Sequence, residues 1–260
     1  VALLSTDQIV ALTSAQFASL TSTQVAGLTS DQIAKIESGD LRALSTATLR
    51  TLTSDQVAAM TTEQLSALTS AQIASLATNP NQLSGLSTAD IVAMTSAQIA
   101  ALNSAQLASF TSDQIAAIET GDIRALSSAA LRGLTDAQLG ALTSDQFAAL
   151  TNAQVASLTT SQIAGLATND LNALTSGQFA ALSSAQVEAM TAAQIGKLET
   201  ADVAALTATA VRGLSSDDIA ALTTDQVVAL GTAQVAVLTS AQVAGLTTDQ
   251  IGKLETADLR

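Results

Sequence analysis

The chain has 260 residues, 48% of them hydrophobic but only 2% aromatic, and a formal net charge of −13. That acidity argues against a nucleic acid or an anionic membrane surface as partner, because both require a basic footprint. His and Cys are absent, which removes the imidazole base, the thiol nucleophile, the usual zinc ligands and every disulfide. No apolar run approaches the ~18 residues of a membrane-spanning helix, and no stretch has the pattern of a signal peptide.

Taken in chain order, the sequence is one unit repeated. A large apolar residue recurs at Leu4, Leu12, Leu20, Leu28, Ile36 and Leu44 and onward to Leu246 and Leu254. The interval is eight residues everywhere except between Leu76 and Leu86, where it is ten. Most anchors are followed by Thr or Ser, then by small or acidic residues, usually Gln, and a second apolar residue at +5, as in Leu28-Thr29-Ser30-Asp31-Gln32-Ile33.

This unit reads as a helix start. With Thr29 as N-cap, Gln32 falls at N3, so the hydroxyl accepts the N3 amide while Gln reaches back to the N-cap N–H. Leu28 then staples onto Ile33. In the ten-residue unit the same register puts Asn79 at the N-cap and Pro80 at N1, where proline is favoured. One long helix is excluded, because anchors at 0 and +5 repeated every eight residues drift by ~80° per unit round the axis. A β-solenoid is the alternative, but residues five apart lie on opposite faces of a strand, and Gln, Ala and Asp are poor strand formers. The sequence therefore predicts an all-α solenoid of short capped helices, one per octad, running as a single array over residues 1–260. Helices this short lie far below the ~12–15 residues at which an isolated helix becomes marginal, so the units must stack and share a core. Phe17, Phe110, Phe147 and Phe179 all stand at anchor or +5 positions and are expected to fill that core. Val1 enters at +5 of one octad and Arg260 closes at +6 of another, the register expected of a segment of a longer array.

Some units depart from the pattern. Asp replaces Gln at Asp40, Asp90, Asp122, Asp170, Asp202, Asp218 and Asp258, and in four of these units Glu replaces the N-cap hydroxyl: Glu37, Glu119, Glu199 and Glu255. Arg50, Arg132 and Arg212 lie in the units that follow the first three. These three recur at ten octads, and would line up as a charged seam if that period matched the superhelix. Acidic residues favoured at a helix start and paired with neighbouring Arg explain these units most simply. Two carboxylates three residues apart also leave weak cation binding open, and more remotely acid–base chemistry, but nothing resembles an EF-hand or a calcium-binding nonapeptide. Gly27, Gly133, Gly165, Gly213 and Gly245 precede anchors and suit close packing. None belongs to a phosphate-cradling loop. No catalytic, cofactor or metal residue is assigned, and the chain is not expected to be an enzyme.

The Leu-Thr-Ser-Asp/Ala-Gln-Ile/Val-Ala-Ala octads resemble those of very long, repetitive bacterial proteins that are secreted or displayed at the cell surface. The resemblance covers all 260 residues. It implies an extracellular or cell-surface structural role and carries over no site residue and no ligand. The resulting expectation is a filament, stalk or spacer whose partner is itself, end to end or side by side. The alternative is an adhesin-type or ice-binding module using Thr rows such as Thr13, Thr21 and Thr29.

Overall fold

The computed structural model describes residues 1, 3–78 and 81–254, and every described octad after the first anchor begins a helical turn. Thirty α-helices of four to six residues and one 3-10 turn, Gln82–Gly85, make up the regular structure among the described residues. The all-α expectation holds. The one β-type pairing among those residues is an isolated bridge between Thr78 and Asn81.

The helices are short because each is cut at the same place. In Ser30–Lys35 the N-cap Thr29 has φ −79 and ψ 161, its hydroxyl accepts Gln32 N–H, and Gln32 Oε1 accepts Thr29 N–H at 2.8 Å. This is the expected capping box. At the other end Ile36 leaves the helix with φ −64 and ψ 133, while its N–H still reaches the Ile33 carbonyl at 3.1 Å. An anchor thus either closes one helix, as Ile36 does, or directly follows its C-cap, as Leu28 follows Gly27, and it leads into the next helix. The extended hydroxyl residue behind it competes with helix continuation by bonding the backbone locally.

Stacking is periodic in three octads. In the compact unit Val1–Leu134, helix Ser14–Ser19 packs on Ser38–Ala43, which packs on Thr62–Ala67, then Thr88–Ala93, then Ser112–Ala116. Helices starting at Thr6 and Ser22 begin the other two columns in the same way. Three helices therefore make one turn. The second compact unit, Thr135–Arg260, repeats the rule in its described residues: Asn152–Ser157 packs on Ser176–Phe179, then Thr200–Ala205, then Thr224–Val228.

Anchors and +5 residues form the core, with the +5 residue deeper. Ile33, Leu41, Leu49, Val57 and Leu65 are fully buried, and anchors such as Leu28 and Ile36 are nearly so. All four Phe residues are buried at the places the repeat gives them.

The ten-residue unit differs from expectation. The proposed cap at Asn79 and Pro80 lies outside the described residues. The turn that follows is 3-10, and its N-cap is Asn81, whose side chain accepts Leu83 N–H. The reason is that Gln82 keeps its usual partners. Its Oε1 accepts Ala77 N–H, the residue just after the anchor, at 2.5 Å, and its Nε2 donates to the Leu52 carbonyl at 2.6 Å. The insertion falls between two fixed bonds and leaves the stacking register unchanged.

Candidate functional site

The most densely bonded polar group in the structure is the repeat Gln itself. Gln56 Oε1 accepts Thr53 N–H within its own octad, while Gln56 Nε2 donates to the Leu28 carbonyl at 2.6 Å and to Ala26 at 3.2 Å, one turn earlier. Gln64 ties Ile33 and Ile36 in the same way, and Gln72 ties Arg42 and Leu44. In the second unit Gln178, Gln186, Gln194 and Gln226 donate to Leu150, Leu158, Leu166 and Leu198, always 28 residues back. Where the ten-residue unit intervenes, the separation becomes 30, as from Gln98 to Leu68. Burial follows the same logic. Gln8, Gln16 and Gln24, which have no earlier turn of this sequence against them, are exposed, whereas Gln32 is buried and bonds the Leu4 carbonyl.

Sequence reasoning captured only half of this role. A capping box works with Glu or Gln, and the acidic group would suit a helix start better. Yet no octad carries Glu at that position. That preference is the signal of a required donor, since only the amide can cap its own helix and give a hydrogen to the turn beneath.

The Glu-Asp units are where this tie is missing. Glu37, Glu119 and Glu199 are N-caps without a side-chain capping bond. Asp40, Asp122 and Asp202 are all buried. The Ser14 hydroxyl, one turn earlier, donates to Asp40 Oδ1 at 2.5 Å, and the Ser96 hydroxyl donates to Asp122 Oδ1 in the equivalent place. In the Glu37 unit the expected Arg partners are not used: neither Arg42 nor Arg50 forms an ion pair with a described carboxylate. Asp202 Oδ2 is buried without a hydrogen-bond partner. Burial, helped by the neighbouring Glu199 carboxylate, pushes the Asp202 acid up to about 6 against the opposing effect of the Glu199 N–H. Asp90 and Asp218 behave differently again, since they take the place of Gln in capping boxes with Ser87 and Ser215.

The charged seam does not form in the first compact unit. Helix Ser38–Ala43 stacks between Ser14–Ser19 and Thr62–Ala67, whereas Thr120–Ile123 stacks on Ser96–Ala100 in another column. Ten octads are not a whole number of three-octad turns, so the Glu37 and Glu119 units fall on different sides. The fourth such unit, at Glu255, lies outside the described residues. Thr13, Thr21 and Thr29 likewise head three successive columns instead of forming one row, and all three hydroxyls are engaged as caps.

Two shallow depressions lie in the first unit, one lined by Arg50, Leu76, Thr78 and Asn103, the other by Lys35, Glu37, Thr61 and Glu63. Among the described residues, no three acidic side chains gather as a metal-holding set.

The sequence model of the ALTTAQ repeat matches residues 1–35, 33–70, 83–118, 115–152, 163–200, 195–232 and 228–256. The chain belongs to the ALTTAQ repeat family. The stretch Ala67-Leu68-Thr69-Ser70-Ala71-Gln72 shows why the motif reads that way, from the residue before the anchor to the Gln that ties the turns. No curated protein matches the chain. Among solved structures, it is similar to the leucine-rich repeat-containing protein LegL7 from Legionella pneumophila, at 10% identity over 94% of this chain and 88% of that one, with a TM-score of 0.22.

Proposed function

We propose that this ALTTAQ repeat chain is a structural element, a stalk, spacer or filament segment outside the cell, whose task is to hold length and whose contacts are with further copies of itself. The observation that carries the reading is the Gln tie, which recurs turn after turn in both compact units with the same two partners. Each turn contacts the turn before and the turn after, so stability is a sum of neighbour terms and length can grow without a new core. A net charge of −13 supports the same reading, because like-charged rods resist clumping. The extracellular placement follows the resemblance to secreted and surface-displayed bacterial proteins.

Cryo-electron microscopy of the native material containing this sequence tests the proposal. Extended thin rods or fibres with an axial period set by three-octad turns are the expected result. Compact particles with the array folded back on itself would overturn it. Thermal hysteresis in dilute solution would point instead to the ice-binding alternative.

A further inference from the structure

Asp202 opens helix Thr200–Ala205 in a position where most octads carry Gln. It is 4% exposed, and its Oδ2 has no hydrogen-bond partner. The octads around it show what the position does: Gln178, Gln194 and Gln226 each give an amide hydrogen to the anchor carbonyl 28 residues earlier. For residue 202 the same register designates the carbonyl of Leu174. A carboxylate has no hydrogen to give, so an ionised Asp202 cannot make the tie that Gln makes in this register. At Asp40 and Asp122 a Ser hydroxyl from the preceding turn supplies a donor to the carboxylate. No such donor reaches Asp202 Oδ2.

We propose that Asp202 is a proton-operated tie between turns: ionised, it leaves its turn unfastened from Leu174, and protonated, its carboxyl O–H donates to the Leu174 carbonyl as the Gln amide does elsewhere. Mild acid then tightens this step of the solenoid. The electrostatics run the same way. The helices packed on Thr200–Ala205 are Ser176–Phe179, which carries no titratable group, and Thr224–Val228, which carries Asp225. Glu199 precedes Asp202 on its own helix, and Lys197, just before, is the one cation of this stretch. Burial and the Glu199 carboxylate both oppose a second negative charge at Asp202. The folded-state acid stands at about 6 against an ordinary 3.8. A raised value means that the stabilising contribution is complete below the ordinary value and is lost as pH rises through about 6.

The test compares the full chain with its Asp202→Gln variant in urea unfolding at about pH 7 and about pH 4.5, together with a carbon-13 titration of the Asp202 carboxyl in the unmodified chain. Gln supplies a donor at both pH values, and the other carboxylates are common to both proteins and cancel in the difference. The variant is expected to fold about ten- to hundredfold more favourably at pH 7, with the advantage shrinking severalfold at pH 4.5, and the carboxyl is expected to titrate well above the ordinary Asp range. A difference independent of pH would overturn the proposal. So would a carboxyl that titrates at or below the ordinary value, and this second readout decides the matter even where the variant folds poorly.

Discussion

The side-chain amide of Gln56 lies 2.6 Å from the carbonyl oxygen of Leu28, and the same side chain accepts the N–H of Thr53 at 2.8 Å. One residue thus ends the orphan donor of its own helix start and the orphan acceptor of the helix below, two groups that would otherwise be buried unsatisfied. Replacing Gln56 with Glu keeps the first bond and destroys the second. It also sets a buried charge against a carbonyl. At neutral pH the cost is expected to be on the order of 2–4 kcal/mol in urea unfolding. A buried Glu in this place has a raised acid constant, so part of the loss should return near pH 4, where the protonated side chain can donate again.

Ile33 and Ile115 stand at the +5 position and are essentially without solvent exposure. Ile33→Asp and Ile115→Asp each place a carboxylate at the centre of a turn with no partner, at a cost of about 3–5 kcal/mol. Because contacts run only to neighbouring turns, the damage should stay local. Hydrogen exchange is expected to lose protection over the octads stacked directly on the mutated one, while distant octads keep theirs. Uniform loss along the whole chain would contradict neighbour-only coupling.

The local structure was legible because the cap chemistry is local. Thr29, Gln32 and Ile33 announce a helix start from their spacing alone, and the structure places them as expected. The number of helices per turn was not legible, because every octad offers the same anchor and the same Gln, and nothing in one unit says which earlier unit it will meet. That ambiguity made a seam through Glu37 and Glu119 plausible on a ten-octad period, until the three-octad turn placed them in separate columns. The ten-residue unit misled for a related reason. The repeat register put Gln82 at the third helical position, but Gln82 is held from both sides by Ala77 and Leu52, and the turn begins at Gln82 itself.

Glycine substitutions should separate two kinds of position. A Cβ built on Gly213 would lie 2.1 Å from the Ser184 carbonyl oxygen in the turn below, so the backbones meet there because no side chain intervenes. Gly213→Ala is expected to push the turns apart and cost about 1–3 kcal/mol. Gly39, inside helix Ser38–Ala43, has nothing within 4 Å of such a Cβ. Gly39→Ala should stabilise by about 0.5–1 kcal/mol through helix propensity alone. Thermal melts of the two variants are expected to shift in opposite directions.

Deletions test the array as a device for holding length. The tie at Gln242 needs an anchor carbonyl 28 residues back, now that of Leu214. Removing residues 231–238, one whole octad, moves Leu206 into that place, an anchor that already serves as acceptor for Gln234. The capping boxes, anchor spacing and inward faces are all preserved. That variant is expected to melt cooperatively, lowered only by the loss of one neighbour contact, a few degrees at most. Removing residues 231–234 instead brings Val235 directly behind Leu230 and puts every later Gln out of step with every earlier anchor. Circular dichroism should then show loss of helix over the turns following the cut. If the four-residue deletion melted like the eight-residue one, the Gln-to-anchor tie would not be what sets the register, and length in this family would not be adjustable in steps of one octad.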